Sequence, residues 1–334
     1  MPNTYRALRV EKIADNSYTQ RIAELSEQEL PDNELLIEVH YSSLNYKDAL
    51  SAHGHPGVTK SYPHTPGVDA AGIVIEDKSA QFKPGDAVIV SCYDLGMNTP
   101  GGLSQRIRVP ARWAVSLPDN LTLKQTMQIG TAGFTAAACV EKLRRVGGAK
   151  VEDGEIIVSG ATGGVGSFSV ALLHHLGFEV VAVTGKLQEG ERLAKLGAKQ
   201  VLDRAVLLEL SGRALAKAQW AHGIDCVGGD YIFNMIKSIR YGGSVAACGM
   251  AAGGEFSANV FPFILRGVNL LGVDCAEMPI APRQALWNIL AGDLKLSDLD
   301  AMAEEITLAQ VPDYLSRMRN GQAIGRYLVN CQAQ

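Results

Sequence analysis

The apolar positions of the chain change rhythm once. Up to about residue 124 they come in short runs: YRALRVEKI, ELLIEVHYSSLN, AAGIVIED, DAVIVSCY and LSQRIRVP. Each run is the length of a strand. Pro56-Gly57, Pro66-Gly67, Pro84-Gly85 and Pro100-Gly101-Gly102 separate several of them, as turn residues separate strands. A compact, mostly β domain is expected there.

Beyond that point strands alternate with helical patterns. A helix is expected over 124–145. The strand EIIVSG (155–160) leads through a glycine-rich turn into a helix over 164–176, which Gly177 can stop. EVVAVTG, QVLDR, GIDCVGG, SVAACGM and NLLGVDC read as further strands, with helices over 188–196 and 230–240. IIVS, VVAV and VAAC are nearly continuous apolar runs, as in parallel strands buried on both faces. Strand–helix alternation of this kind predicts βαβ units and a parallel sheet. The tail adds helices over 284–292 and 311–320, then a closing strand, GRYLVNC.

Composition narrows the function. The 334 residues suffice for two domains. A net charge of -4 gives no basic footprint for nucleic acid or an anionic membrane. No apolar run is long enough to span a bilayer. The start, MPNTYRALRVEK, has no apolar signal core, so a cytoplasmic protein is expected. The six cysteines are scattered and form no CxxC pair. Reduced thiols are expected, not a disulfide frame or a structural zinc site.

After EIIVSG comes Ala161-Thr162-Gly163-Gly164-Val165-Gly166. This is the G-x-G-x-x-G pattern with alanine in first place. Between a strand and a helix, such a loop lets backbone approach a pyrophosphate at the helix N-terminus. In NAD proteins an acid about 20 residues further on binds the ribose 2′-OH. Here the second strand runs into Thr184-Gly185-Lys186 instead. A hydroxyl, backbone N–H groups and a cation suit a 2′-phosphate, and Arg204 can add a second cation. NADPH is therefore the expected cofactor.

In the first domain, SSLNYKD (42–48) places Asn45 and Asp48 three apart, on one face of a helical turn. Tyr46 can wall a pocket. Asn45, Tyr46 and Asp48 are the candidate catalytic residues. The alternative is a turn whose polar side chains cap local backbone.

The motifs SSLNYKDAL, PGVDAAGIV, GGLSQ, IGTAGFTAA, SGATGGVG, DCVGG and GRYLVN span nearly the whole chain. Together they resemble a zinc-free member of the medium-chain dehydrogenase/reductase superfamily. The resemblance is strongest to its acrylyl-CoA reductase branch, also described as quinone oxidoreductase-like. It implies an α/β fold: a doubly wound Rossmann domain, strand order 3-2-1-4-5-6, inserted into a GroES-like, mostly β catalytic domain. The domains are expected at 1–124 plus 276–334 and at 125–275. Zinc relatives carry Gly-His-Glu where this chain has Gly67-Val68-Asp69. No metal is expected, and His40, His53, His55 and His64 are expected to be ordinary structural or surface histidines.

The resemblance also implies a cofactor surface. The nicotinamide is expected in the cleft between the domains, with Tyr46 near it. Thr162, Gly163, Gly164 and Val165 are expected at the pyrophosphate, and Thr184, Gly185, Lys186 and Arg204 at the adenosine end. Cys226, Met250, Ile264, Cys275 and Arg326 are expected around the rest. The implied reaction is conjugate reduction of a short 2-enoyl-CoA, acrylyl-CoA to propanoyl-CoA. An NADPH:quinone oxidoreductase and a non-catalytic NADPH-binding sensor are the alternatives. A homodimer is expected through the NLLGVDC edge strand, which needs cover.

Overall fold

The structure is a computed structural model and describes residues 3–333. The chain divides into two compact units. The first takes the chain up to Thr131, Ala276–Asp293 and the chain from Ser297 onward. The second takes Ala132–Cys275 with Leu294–Leu296. The first division thus falls at Thr131, seven residues past the expected 124.

The first unit is built on a seven-stranded sheet. Its path runs Ala303–Thr307, Arg326–Asn330, Leu35–Ser43, Asp69–Asp77, Ala87–Ser91 and Ala114–Ser116, with Arg106–Val109 also on Leu35–Ser43. The closing strand pairs antiparallel with the first core strand, Leu328 opposite Ser43. That pairing carries Arg326 to the end of Leu35–Ser43, where the SSLNYKD segment begins. Leu35, Ile37 and Val39 point into one core with Val88, Val90 and Ile107. Leu36, on the other face, packs with Tyr5, Ala7 and Ala23. Burial on both faces explains why this run lacks a clean alternation.

Two strands of this unit escape periodicity. Ser17–Ser26 is largely polar and is held by antiparallel pairing with Thr4–Ala14. Ala303–Thr307 carries two glutamates and is held by parallel pairing with Arg326–Asn330. The first takes its backbone bonds from its hairpin neighbour across Asp15-Asn16, and the second from the closing strand further along the chain.

The second unit is a six-stranded, all-parallel sheet. Its order is Ala198–Asp203, Val180–Thr184, Ile156–Val158, His222–Asp225, Ser244–Ala247, Asn269–Gly272. In sequence order that is 3-2-1-4-5-6, the doubly wound arrangement. The reversal of strand order beside Ile156–Val158 opens a crevice at the carboxyl ends of the strands. Every residue of Val180–Thr184 is buried. The last strand lies at the edge, and Leu270 there is exposed.

The helix Leu123–Arg145 is broken at Gly130 (φ 51°, ψ -165°). Its 124–145 pattern reads as continuous because the break is one residue long. A Cβ at Gly130 would collide with Arg326 Nη2 and Ser43 Oγ. Glycine alone fits that approach and that left-handed conformation. The helix expected over 188–196 is regular only over Gly190–Lys195, after a 3-10 turn. The one expected over 230–240 closes at Ile236. No helix among the described residues is long and apolar enough to cross a membrane.

Candidate functional site

In the second unit, the crevice at the strand ends is a cavity of about 440 Å³. Its lining gathers Thr162, Thr184, Gly185, Lys186 and Arg204. Ser159, Gly160, Val183, Val227, Tyr231, Ala251 and Ala252 complete it. Thr162 Oγ1 and Thr184 Oγ1 lie 2.9 Å apart. The Lys186 amide donates to Thr184 Oγ1 at 3.0 Å. The Arg204 amide donates to the Thr184 carbonyl at 2.9 Å. Thr184 thus pins both cationic residues to the end of one strand. Partial burial pulls the Lys186 ammonium below its ordinary pKa, and Glu189 acts in the opposite direction.

The glycine loop has the geometry its pattern requires. Gly160 sits at φ +61°, and a Cβ at Gly166 would collide with the Gly160 carbonyl. The helix Gly164–His175 starts at Gly163 with no side-chain cap. Its first N–H groups therefore have no side-chain acceptor, as an anion site at a helix N-terminus needs. Gly163, Gly164 and Val165 lie at that helix start, not in the cavity lining. These features fit a phosphorylated dinucleotide.

Asp225 braces the floor. Its carboxylate accepts from Ser159 Oγ at 2.6 Å and from the Gly228 amide at 2.7 Å. Burial raises its pKa, and those bonds oppose the rise. Cys226 and Met250 adjoin lining residues without lining the cavity. Met250 and Ile264 are exposed, whereas Cys275 is buried.

In the first unit, SSLNYKD meets three distant segments around Asp69. Asp69 is fully buried at a strand start. Its Oδ2 accepts from Ser43 Oγ at 2.7 Å, Asn45 Nδ2 at 2.7 Å and the Thr131 amide at 2.9 Å. Its Oδ1 accepts from Thr131 Oγ1 at 2.7 Å. Arg326 is buried against the same group. It donates to Ser43 Oγ at 2.6 Å, Leu44 O at 2.9 Å and Asn45 Oδ1 at 3.0 Å. Arg326 Nε has no hydrogen-bond partner.

Asn45 is thus held at both ends of its amide. Asp48, three residues on, is fully buried. It accepts from the Asn45 amide at 2.7 Å and from the Val68 amide at 3.0 Å. Burial pushes its pKa up to about 7, with Asp69 adding to the rise. Tyr46, at the first position of the helix Tyr46–Ala52, is 51% exposed. The half-buried Thr131 side chain also touches Cys92 Sγ, at 3.2 Å. Cys92 and Tyr93 are consecutive non-glycine residues at positive φ, 62° and 51°. Such strain gathers at working sites.

Asp69, Ser43 and Thr131 are the members of this cluster that spacing did not single out as site residues. The signal was present: Asp69 stands where zinc relatives carry glutamate. The four histidines take ordinary partners. His64 meets the Gly96 carbonyl, His53 the Ala49 carbonyl, His40 meets Glu38, and His55 the Gly57 amide. Among the described residues, no group of three or more His, Cys, Asp or Glu is arranged for a metal.

A doubly wound sheet with a glycine loop, in one chain with a β unit that carries a buried acid–arginine cluster, defines a class: dinucleotide-dependent oxidoreductases. Comparison with known proteins gives the family. Residues 31–119 match the alcohol dehydrogenase GroES-like domain, and residues 164–291 match the zinc-binding dehydrogenase family. Acrylyl-CoA reductase AcuI of Ruegeria pomeroyi is 41% identical over 98% of this chain and 100% of its own. Putative quinone oxidoreductase YhfP of Bacillus subtilis is 41% identical over 98% of this chain and 99% of its own. Among solved structures, the yhdH oxidoreductase of Salmonella enterica in complex with NADP superposes with a TM-score of 0.93. It is 42% identical and covers 97% of this chain and 99% of its own. Bacillus subtilis yhfP with NAD bound gives a TM-score of 0.94 at 40% identity, over 98% and 99%.

The chain therefore belongs to the medium-chain dehydrogenase/reductase family, in its quinone oxidoreductase-like branch, and is an oxidoreductase. At the position where zinc relatives carry a ligating histidine, Val68 has no ligating atom.

Proposed function

We propose that this protein uses NADPH to reduce the 2,3-double bond of a short 2-enoyl-CoA, with acrylyl-CoA as substrate and propanoyl-CoA as product. The observation that carries the reading is the Thr184–Lys186–Arg204 corner. It holds two cations and a hydroxyl where NAD proteins hold an acid. The relative named acrylyl-CoA reductase supports the choice of substrate.

In this reading Lys186 and Arg204 bind the 2′-phosphate, and Thr184 orients both. The amides of Gly164 and Val165 hold the pyrophosphate beside Gly163, whose own amide donates to the Gly160 carbonyl at 3.0 Å. Bound NADPH supplies a hydride to the β-carbon of the enoyl group. Negative charge then moves to the thioester oxygen, and the α-carbon takes a proton. The protein's task is to hold the two carbons at reaction distance and to place donors where charge develops. Tyr46, half exposed, is the orienting group, and Asn45, whose amide nitrogen is spent on Ser43 and Asp69, fixes its place. Asp48, with both carboxylate oxygens on backbone amides, holds their loop. In the same reading Cys226, Met250, Ile264 and Cys275 face the rest of the cofactor. Arg326 acts through Asn45 and Asp69, because its bonded donors are spent on the protein.

The relative named quinone oxidoreductase favours a second reading in which the same cofactor residues serve a quinone. One experiment separates them: nicotinamide oxidation followed with acrylyl-CoA, crotonyl-CoA and a benzoquinone, each with NADPH and NADH. Saturable turnover of acrylyl-CoA with NADPH supports the first reading. Turnover of the quinone alone replaces it with the second. Tight NADPH binding without turnover of any overturns both and favours a binding role.

A further inference from the structure

Four of the six cysteines belong to the second unit, and three of them meet beside the carboxyl ends of its sheet. Cys226 follows the strand His222–Asp225, and Cys248 follows its neighbour Ser244–Ala247. These strands are parallel, with Asp225 opposite Ala247. The ladder continues one step further, since the Cys248 amide donates to the Asp225 carbonyl at 3.0 Å. Cys226 and Cys248 are therefore side by side and project to the same face. Their sulfurs lie 3.9 Å apart.

Neighbouring strands run about 4.8 Å apart. A disulfide accepts Cα separations of about 4.4–6.8 Å. The backbone spacing already suits a bond, and rotation about χ1 can close the remaining gap. Both side chains are half-buried, whereas Cys139 behind them is fully buried. Cys248 Sγ donates to the Asp225 carbonyl at 3.4 Å and to Cys226 Sγ; contact with Cys139 and Cys226 holds its pKa well below the ordinary thiol value, against its burial. The bond to Cys248 and burial push Cys226 up. Two half-buried sulfurs in contact are the arrangement of an attacking and a resolving pair. A metal is a poorer occupant, since no three-ligand group is arranged for one among the described residues.

We propose that Cys226 and Cys248 form a redox-modification site that a peroxide oxidises to a disulfide. The Cys248 thiolate attacks a peroxide oxygen, the O–O bond breaks, and hydroxide leaves. The resulting sulfenic acid is attacked by the Cys226 sulfur. An S–S bond forms, the S–O bond breaks and water leaves with the Cys226 proton. In sum, two thiols and one hydrogen peroxide give one disulfide and two waters. A dithiol reductant reverses the change.

The site has a mechanical consequence for the cavity. Val227 follows Cys226, and Ala251 and Ala252 follow Cys248 by a few residues; all three line the cavity. A disulfide ties these two loops together at their roots. The expected loss of dinucleotide affinity rests on the proposed function; the disulfide itself does not.

The test is peroxide treatment of the full chain, followed by proteolysis without reductant and mass spectrometry. The expected result is a Cys226–Cys248 cross-linked pair, lighter by two hydrogens, that disappears with dithiothreitol and in Cys226→Ser. Sulfenate trapping at Cys248 in Cys226→Ser is the expected companion result. A cross-link of Cys248 to Cys139, or oxidation confined to other cysteines, overturns the assignment. NADPH titration of the oxidised chain should show several-fold weaker binding. A cross-link with unchanged affinity overturns the mechanical consequence and leaves the modification site standing.

Discussion

Arg326 Nη2 and Asp69 Oδ2 lie 3.7 Å apart, both side chains buried, with the Ser43 hydroxyl bonded to each. The pair joins the closing strand of the chain to the segment that holds Asn45. Removing one member of a buried pair leaves the other charge uncompensated, at a cost of about 3–5 kcal/mol. Arg326→Leu should therefore unfold at clearly lower denaturant than the parent protein. Asp69 also accepts four neutral hydrogen bonds, which places the loss toward the lower end. Equal midpoints in urea would show that the pair carries no stability.

The phosphate corner predicts a selective loss. Lys186→Ala should weaken NADPH binding by about 10- to 100-fold, the range of one charge-assisted hydrogen bond lost. NADH binding should hardly change, because NADH has no 2′-phosphate. Calorimetric titration of both cofactors reads the difference. An equal loss for both would remove the argument for NADPH preference at this corner.

Asp48 predicts a slope with pH. Its folded pKa is pushed up to about 7 from 3.8. Between those values the folded chain holds a proton that the unfolded chain has released. Stability from this group is therefore full at low pH and falls as pH rises toward about 7. Asp48→Asn should show a shallower fall in Tm over that window than the parent. Parallel Tm curves would mean that Asp48 ionises normally in the fold.

Gly130 and Gly148 separate packing from backbone strain. Both sit at positive φ, 51° and 68°. A Cβ at Gly148 meets nothing within 4 Å, whereas one at Gly130 collides with Arg326 and Ser43. Gly148→Ala should cost about 1–2 kcal/mol, the left-handed penalty alone. Gly130→Ala should cost more and should disturb the Asp69 cluster. Similar costs for the two in denaturant melts would argue against close packing at Gly130.

The exposed edge strand Asn269–Gly272 carries the expectation of a homodimer. Leu270, and Ile264 and Leu265 on the helix just before it, are exposed in the single chain. An apolar edge of this kind needs cover. Light scattering at micromolar concentration should give twice the chain mass, and Leu270→Asp should shift it toward one. A monomeric parent protein would overturn the expectation.

The sequence by itself determined what is local. Runs such as VVAV announce doubly buried parallel strands, because burial on both faces leaves no polar position. The glycine loop announces its own geometry, because Gly166 has to pass the Gly160 carbonyl. Thr184-Gly185-Lys186 announces a cation at a strand end for the same reason: its parts are adjacent in the chain. Tertiary structure decided the rest. It gave strand identity to Ser17–Ser26 and Ala303–Thr307, whose own patterns are polar, because backbone pairing, with a hairpin neighbour in one case and with the closing strand in the other, outweighs propensity. It brought Arg326, near the end of the chain, against Ser43, Asn45 and Asp69. It added Tyr231, Ala251 and Ala252 to the cavity, and broke a helix at Gly130. Each of these depends on which segments meet, and periodicity within one segment carries no information about that.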